Sequence, residues 1–203
     1  MDWNEFLHEA IAEKDIDLVR QALAEGADPN GIGEDGGTPL YHAVAGGELG
    51  VVRALLKAGA RVSADREKES RTLHAAVEDN NPSMVDLLLE HDAGEALNLF
   101  DYVERTPLII AVQLENAAIA HRLLQAGADV NARKEPYNGD TALHRAVASG
   151  NLKVATLLLK AGANPALQGW MWITPLDLAR ERKRGDGPRI CEALERAAKR
   201  FGK

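Results

Sequence analysis

Apolar and polar positions along this chain follow a helical period, and the pattern itself recurs. In ELGVVRALLKAGARV, Leu49, Val52, Leu55 and Leu56 fall at the spacing that places side chains on one face of an amphipathic helix. Equivalent runs are DIDLVRQALAEGADPN, NPSMVDLLLEHDA, NAAIAHRLLQAGADVN and NLKVATLLLKAGANP. A shorter apolar block precedes each of the five: FLHEAI at 6–11, TPLYHAV at 38–44, RTLHAAV at 71–77, TPLIIAV at 106–112 and TALHRAV at 141–147. A sixth block, TPLDLAR, stands at 174–180. The aligned leucines Leu7, Leu40, Leu73, Leu108, Leu143 and Leu176 are separated by 33, 33, 35, 35 and 33 residues. The chain is therefore an array of one repeated unit.

Each unit reads as helix, tight turn, helix and extended connection. Thr-Pro at 38–39, 106–107 and 174–175 suits a helix start. The Thr hydroxyl caps free amides, and Pro at the first helical position loses no needed donor. Gly26, Gly59, Gly127 and Gly162 follow the last helical positions, where a left-handed residue closes the helix. One helix pair cannot bury its own apolar face, so neighbours must stack and the end units must turn a polar side outward. The first helix carries Asp2, Glu5, Glu9 and Glu13. The last unit carries RERKRGDGPR at 180–189 before a final helix.

The period and the T-P-L-H-x-A blocks resemble the ankyrin repeat over essentially the whole chain. The resemblance implies an all-α ankyrin-repeat solenoid of about six helix–turn–helix units with short β-hairpin fingers. Residues 1–203 would form a single domain. Its repeats lie at approximately 1–33, 34–66, 67–101, 102–136, 137–169 and 170–203, and the first and last act as caps. It further implies that partners bind across the fingers and the inner-helix face. His8, His74 and His144 share one repeat position, and in the family this histidine ties the Thr region to neighbouring backbone. The chain departs from the pattern at Arg71 and Thr72, which replace Thr-Pro, and at Asp92, which replaces the closing Gly. The connection after Asp92 is two residues longer, as are the fingers at 131–141 and 164–174.

Composition narrows the function. The 203 residues are 45% hydrophobic but only 4% aromatic, so Ala and Leu must fill the core. A net charge of −7 argues against nucleic acid as the main partner. The single cysteine, Cys191, allows no internal disulfide and fits a reduced, cytoplasmic setting. No signal peptide is evident, and no stretch is apolar for the roughly 20 residues a membrane span needs. NGIGEDGG at 30–37 contains G-x-G-x-x-G. No strand leads into it, however, and Glu34 and Asp35 would repel a phosphate, so it reads as a glycine-rich finger. The six histidines lack zinc-ligand spacing, and Cys191 has no nearby His. No nucleophile, base and oxyanion site assembles. The sequence predicts no enzyme, no cofactor and no metal.

Counting back from the Thr position of successive blocks aligns the finger tips in rows. Four residues before it stand Glu34, Glu67, Tyr102, Tyr137 and Trp170. Three before it stand Asp35, Lys68, Val103, Asn138 and Met171, and two before it Gly36, Glu69, Glu104, Gly139 and Trp172. The first two tips are charged and the last three carry aromatics, with Phe100 close by. GWMWI at 169–173 is therefore expected to be an exposed tip rather than a buried strand, because a finger has no second layer to cover it. Residues 1–104 hold 22 acids and 8 bases, and residues 105–203 hold 9 acids and 16 bases, a layout that orients a partner.

These features predict a non-catalytic module, monomeric when free, that binds another protein and no membrane. The expected contact residues are Phe100, Tyr102, Tyr137, Trp170, Met171 and Trp172 on the fingers. Glu78, Asp79, Gln113 and Leu114 at the inner-helix ends complete the set. Two rival readings remain: a specific inhibitor or immunity-type protein that blocks an enzyme, and a nucleic-acid binder acting through the basic segment 180–189.

Overall fold

The computed structural model describes residues 2–62, 72–91, 93–134 and 139–201. Arg71, Asp92, Tyr137, Asn138 and the charged tip Glu67, Lys68 and Glu69 lie outside them. The chain divides into two compact units, residues 1–96 and 97–203.

The first unit holds α1 (Trp3–Ala12), α2 (Ile16–Ala24), α3 (Pro39–Ala45), α4 (Leu49–Lys57), α5 (Thr72–Glu78) and α6 (Pro82–Leu89). A 3-10 turn follows at Glu95–Asn98, in the lengthened connection. The second unit holds α7 (Pro107–Gln113), α8 (Ala117–Gln125), α9 (Ala142–Ser149), α10 (Leu152–Lys160), α11 (Pro175–Glu181) and α12 (Gly187–Phe201). Within each unit the odd-numbered helices stack on one another, α1 on α3 on α5 in the first and α7 on α9 on α11 in the second. The even-numbered ones pack likewise, α2 against α4 in the first and α8, α10 and α12 in series in the second. No strand occurs among the described residues. Among the described residues, the fingers at 33–37, 101–105 and 169–173 are turns closed by two or three backbone bonds, such as Asp101 N–H to the Arg105 carbonyl at 2.9 Å, too few for the expected β-hairpins to form a ladder.

Local chemistry sets the element ends. Thr38, Thr106 and Thr174 accept from the amides of Tyr41, Ile109 and Asp177, with Pro in the first turn each time. Four of the second helices, α2, α6, α8 and α10, instead use Asp15, Asn81, Asn116 and Asn151 as caps. Gly26, Gly59, Gly127 and Gly162 close helices at φ between 93° and 98°, a region that costs a glycine little. The repeat leucines Leu7, Leu40, Leu73, Leu108 and Leu143 are all 1% exposed or less. Leu176, in the last repeat, is only half-buried.

Polar side chains fix the spacing between repeats. Asn30 donates to the Gly59 carbonyl at 3.0 Å and accepts from the Arg61 amide at 2.9 Å. Asn131 repeats this in the second unit, with the Gly162 carbonyl at 3.2 Å and the Asn164 amide at 2.8 Å. Backbone groups that strands would satisfy are thus met by amide side chains.

Candidate functional site

The finger at residues 164–174 is held firmly at its base. His144 is 1% exposed. Its Nδ1 accepts from the Thr141 amide at 3.1 Å and hydroxyl at 2.8 Å, and its Nε2 donates to the Ile173 carbonyl at 3.0 Å. The neutral ring serves all three contacts. Burial therefore holds the His144 pKa below the ordinary histidine value, even though the Ile173 carbonyl and Asp140 pull it upward. Asp140 accepts from the Trp170 amide at 3.0 Å, and Arg133 donates to the Gln168 carbonyl at 2.6 Å. Gly169 is buried between these groups. A Cβ there would lie 2.5 Å from Asp140 Oδ1 and 2.6 Å from His144 Nε2, so only glycine lets the finger approach this closely.

Above that base the chain reverses over Trp170–Ile173. The Ile173 amide donates to the Trp170 carbonyl at 3.3 Å, and the Gly169 amide donates to the Ile173 carbonyl at 2.9 Å. Both central residues are left-handed: Met171 at φ 56° and Trp172 at φ 63°. A turn with two positive φ values favours Asn-Gly, and a residue with a Cβ adopts this region at a cost of about 1 kcal/mol or more. Trp170, Met171 and Trp172 are 67%, 70% and 69% exposed. Among the described residues, no hydrogen bond or ring contact involves either indole. GWMWI is therefore a greasy tip on a rigid stem.

The finger at 101–106 is built differently. Asp101 is buried and accepts from the amides of Val103 and Arg105 at 3.0 and 2.7 Å. Its Oδ2 lies 2.7 Å from both Arg105 Nε and the terminal nitrogen. This clamp turns Tyr102, 88% exposed, and Val103, 50% exposed, into solvent. Phe100 is half-buried, with Lys134 Nζ 5.6 Å from its ring centre, so it contributes an edge rather than a free face. Glu78 and Asp79 are exposed at the end of α5 in the first unit. Gln113 and Leu114 are exposed at the end of α7 in the second. Tyr137 lies outside the described residues.

Part of the remaining candidate chemistry is engaged within the fold, while Lys183 and Arg184 of the basic segment stay exposed. In the glycine-rich finger, Asp35 accepts from the Gly37 amide at 3.1 Å and meets His42 Nε2 at 3.1 Å. The Gly37 amide first, and His42 after it, hold the Asp35 carboxyl below its usual range. A carboxylate thus takes the amide that a phosphate would need. In the basic segment, Arg180 faces Asp177 and Glu195, Arg189 faces Asp186, and Arg182 donates to the Ala148 carbonyl. Among the described residues, no group of three or more His, Cys, Asp or Glu is arranged to hold a metal. No helix there is long and apolar enough to cross a membrane.

Sequence reasoning found the exposed tip but missed what supports it. Asn30 and Asn131 recur at equivalent places after the helix-closing glycines, a signal present in the repeat alignment. Asp101 and Arg105 stand four apart with no repeat equivalent, and only the folded turn shows that they meet.

A family model for ankyrin repeats in three copies matches residues 7–101 and 73–168. The B-cell lymphoma 3 protein homolog of Mus musculus is 33% identical over 182 residues, which is 87% of this chain and 40% of that protein. An ankyrin repeat domain from Acinetobacter baumannii AYE superposes with a TM-score of 0.83 at 30% identity, covering 94% of this chain and 96% of that one. The human ASB11 ankyrin repeat domain does so at 0.72 and 27% identity, covering 94% and 81%. The chain spans 40%, 33% and 27% of the lengths of three curated relatives that it matches.

Proposed function

The chain belongs to the ankyrin repeat family, and from that premise we propose that it is a non-catalytic module that binds another protein through its finger tips and inner-helix face. Domains of this family generally mediate protein–protein interaction. In this reading residues 1–203 act as one domain with capping first and last repeats, monomeric when free. The single Cys191 fits a cytoplasmic setting.

The observation that carries the reading is the Trp170–Met171–Trp172 tip. Three large apolar side chains stand more than two-thirds exposed on a turn whose backbone disfavours them. Exposed apolar clusters on a folded domain mark interaction sites, and Trp is enriched among interface anchors. The stem below the tip is already ordered, so little conformational freedom remains to be lost on binding.

The test is affinity capture of a partner by the wild-type chain and by Trp170→Ala, with thermal unfolding of both. The variant should bind its partner about tenfold more weakly or worse, as for a central anchor, while its melting temperature stays close to wild type. A collapsed melting temperature would make Trp170 a packing residue. Unchanged binding would move the contact elsewhere, first to Glu78 and Leu114.

A further inference from the structure

The second unit carries a surface that the finger-binding reading does not use. Helices α10 and α12 pack side by side and leave an open groove of about 570 Å³ between them. Its floor is aliphatic: Leu152 and Leu159 on α10 and Ala193 and Ala197 on α12 are all half-buried. Its rim is basic. Arg189, Arg196 and Arg200 stand seven and four residues apart, which puts them within about 20° of one line along α12. Exposed Lys160 lines the α10 side. Glu192 is the one carboxylate in the lining. It pairs with Arg196 at 3.4 Å, and Asp186 pairs with Arg189 at 3.3 Å. Exposed pairs of this kind are worth little, so an incoming carboxylate exchanges with them at small cost. Among the described residues no carboxylate pairs with Lys160 or Arg200.

The lining discriminates among anionic occupants. A nucleic acid strand stacks its bases on aromatic faces, whereas the groove has an aliphatic floor, no aromatic residue and a carboxylate that repels phosphate. A membrane surface takes up large apolar side chains that reach outward, and here the leucines are half-buried among exposed cations. An extended peptide would find two helical walls with no strand edge to pair with, and would leave its own amides and carbonyls unmet over the floor. A helix satisfies its backbone internally and presents apolar side chains along one stripe. Leu152 and Leu159 lie seven residues apart on α10, about 10 Å of helix, which is the interval between anchors at i and i+7 of a docked amphipathic helix. We propose that the α10–α12 groove takes an acidic amphipathic helix of a partner protein. Its apolar stripe covers the leucines and alanines, and its carboxylates meet Lys160 and the three arginines. No residue of the 164–174 finger lines the groove, so this contact and the finger contact stand or fall separately.

The experiment titrates the full chain into a fluorescein-labelled, capped peptide of about two heptads, with Leu on one helical stripe and Glu at most other positions, and follows anisotropy. Controls are the same residues scrambled to break the stripe, the peptide with a central Pro, the peptide with Lys for Glu, a single-stranded DNA oligonucleotide and phosphatidylserine vesicles. The acidic peptide should bind saturably and several-fold more weakly as salt rises. Arg196→Glu/Arg200→Glu should weaken it about tenfold or more, and Arg196→Gln/Arg200→Gln several-fold, both at a melting temperature close to wild type because the two side chains are exposed. Trp170→Ala should bind the peptide as wild type does. The proposal is overturned if the acidic peptide does not bind, if the scrambled, proline or lysine peptide binds as tightly, or if the arginine variants bind it unchanged. Tighter binding of the oligonucleotide or the vesicles through the same arginines would also overturn it, as would loss of peptide binding in Trp170→Ala. Any of these results leaves the finger-binding reading to its own test, partner capture through Trp170.

Discussion

Leu143 shows how much one position carries. It is fully buried between the stacked inner helices and recurs at the same place in every repeat. Leu143→Ala should cost about 2–5 kcal/mol in urea unfolding, the range for a core leucine. A loss below about 0.5 kcal/mol would place it outside the core. His144, the next residue, contributes through its protonation state. Burial lowers its pKa on folding, so the folded chain holds fewer protons there and stability rises with pH. That contribution is complete above the ordinary histidine value of about 6.5. It is lost as the pH falls from there through the lowered folded value, because a second ring proton on Nδ1 would face the Thr141 amide. Denaturant midpoints measured from neutral to mildly acidic pH should fall more steeply for wild type than for His144→Gln. Equal slopes would mean that other groups govern the acid limb.

At the scale of the element, the last finger sets its stem against its tip. Asp140, Arg133 and His144 hold the stem, and Gly169 allows them to come close. The tip keeps Met171 and Trp172 in left-handed backbone that other residues adopt more easily. Replacing the pair by Asn-Gly, the preferred residues for such a turn, should stabilise the chain by about 1 kcal/mol and abolish the interaction assigned to the tip. Chemical denaturation and partner binding measured on Met171→Asn/Trp172→Gly test both halves. A destabilised variant would show that the two side chains pack after all. Stability given up at an exposed site in favour of binding is a trade-off that functional surfaces commonly make.

For the whole molecule, repetition governs how a local defect spreads. In a repeat array each unit contacts its neighbours, so stability is close to a sum of local terms. Amide exchange on Leu143→Ala should therefore lose most protection in α7, α9, α10 and α11 and least in α1 and α2. Uniform loss along the chain would indicate a single all-or-none unit. Circular dichroism should be dominated by helix, in keeping with twelve helices and no strand among the described residues.

The sequence by itself determined the repeat, the helix pairs, their caps and the buried leucines. Each of these rests on local spacing: a helical period, a Thr-Pro start, a glycine at the helix end. It also indicated that GWMWI has nothing to cover it, since a projecting finger lacks a second layer. Only the tertiary structure decided which polar residues join the repeats, because Asn131 meets the Gly162 carbonyl, and His144 the Ile173 carbonyl, across about a whole repeat of intervening chain. It likewise decided that Phe100 is half covered while Tyr102 stands free, and that Met171 and Trp172 turn left-handed. Exposure and backbone hand at a finger tip depend on what packs against the stem beneath it, and that is set by residues distant in the chain.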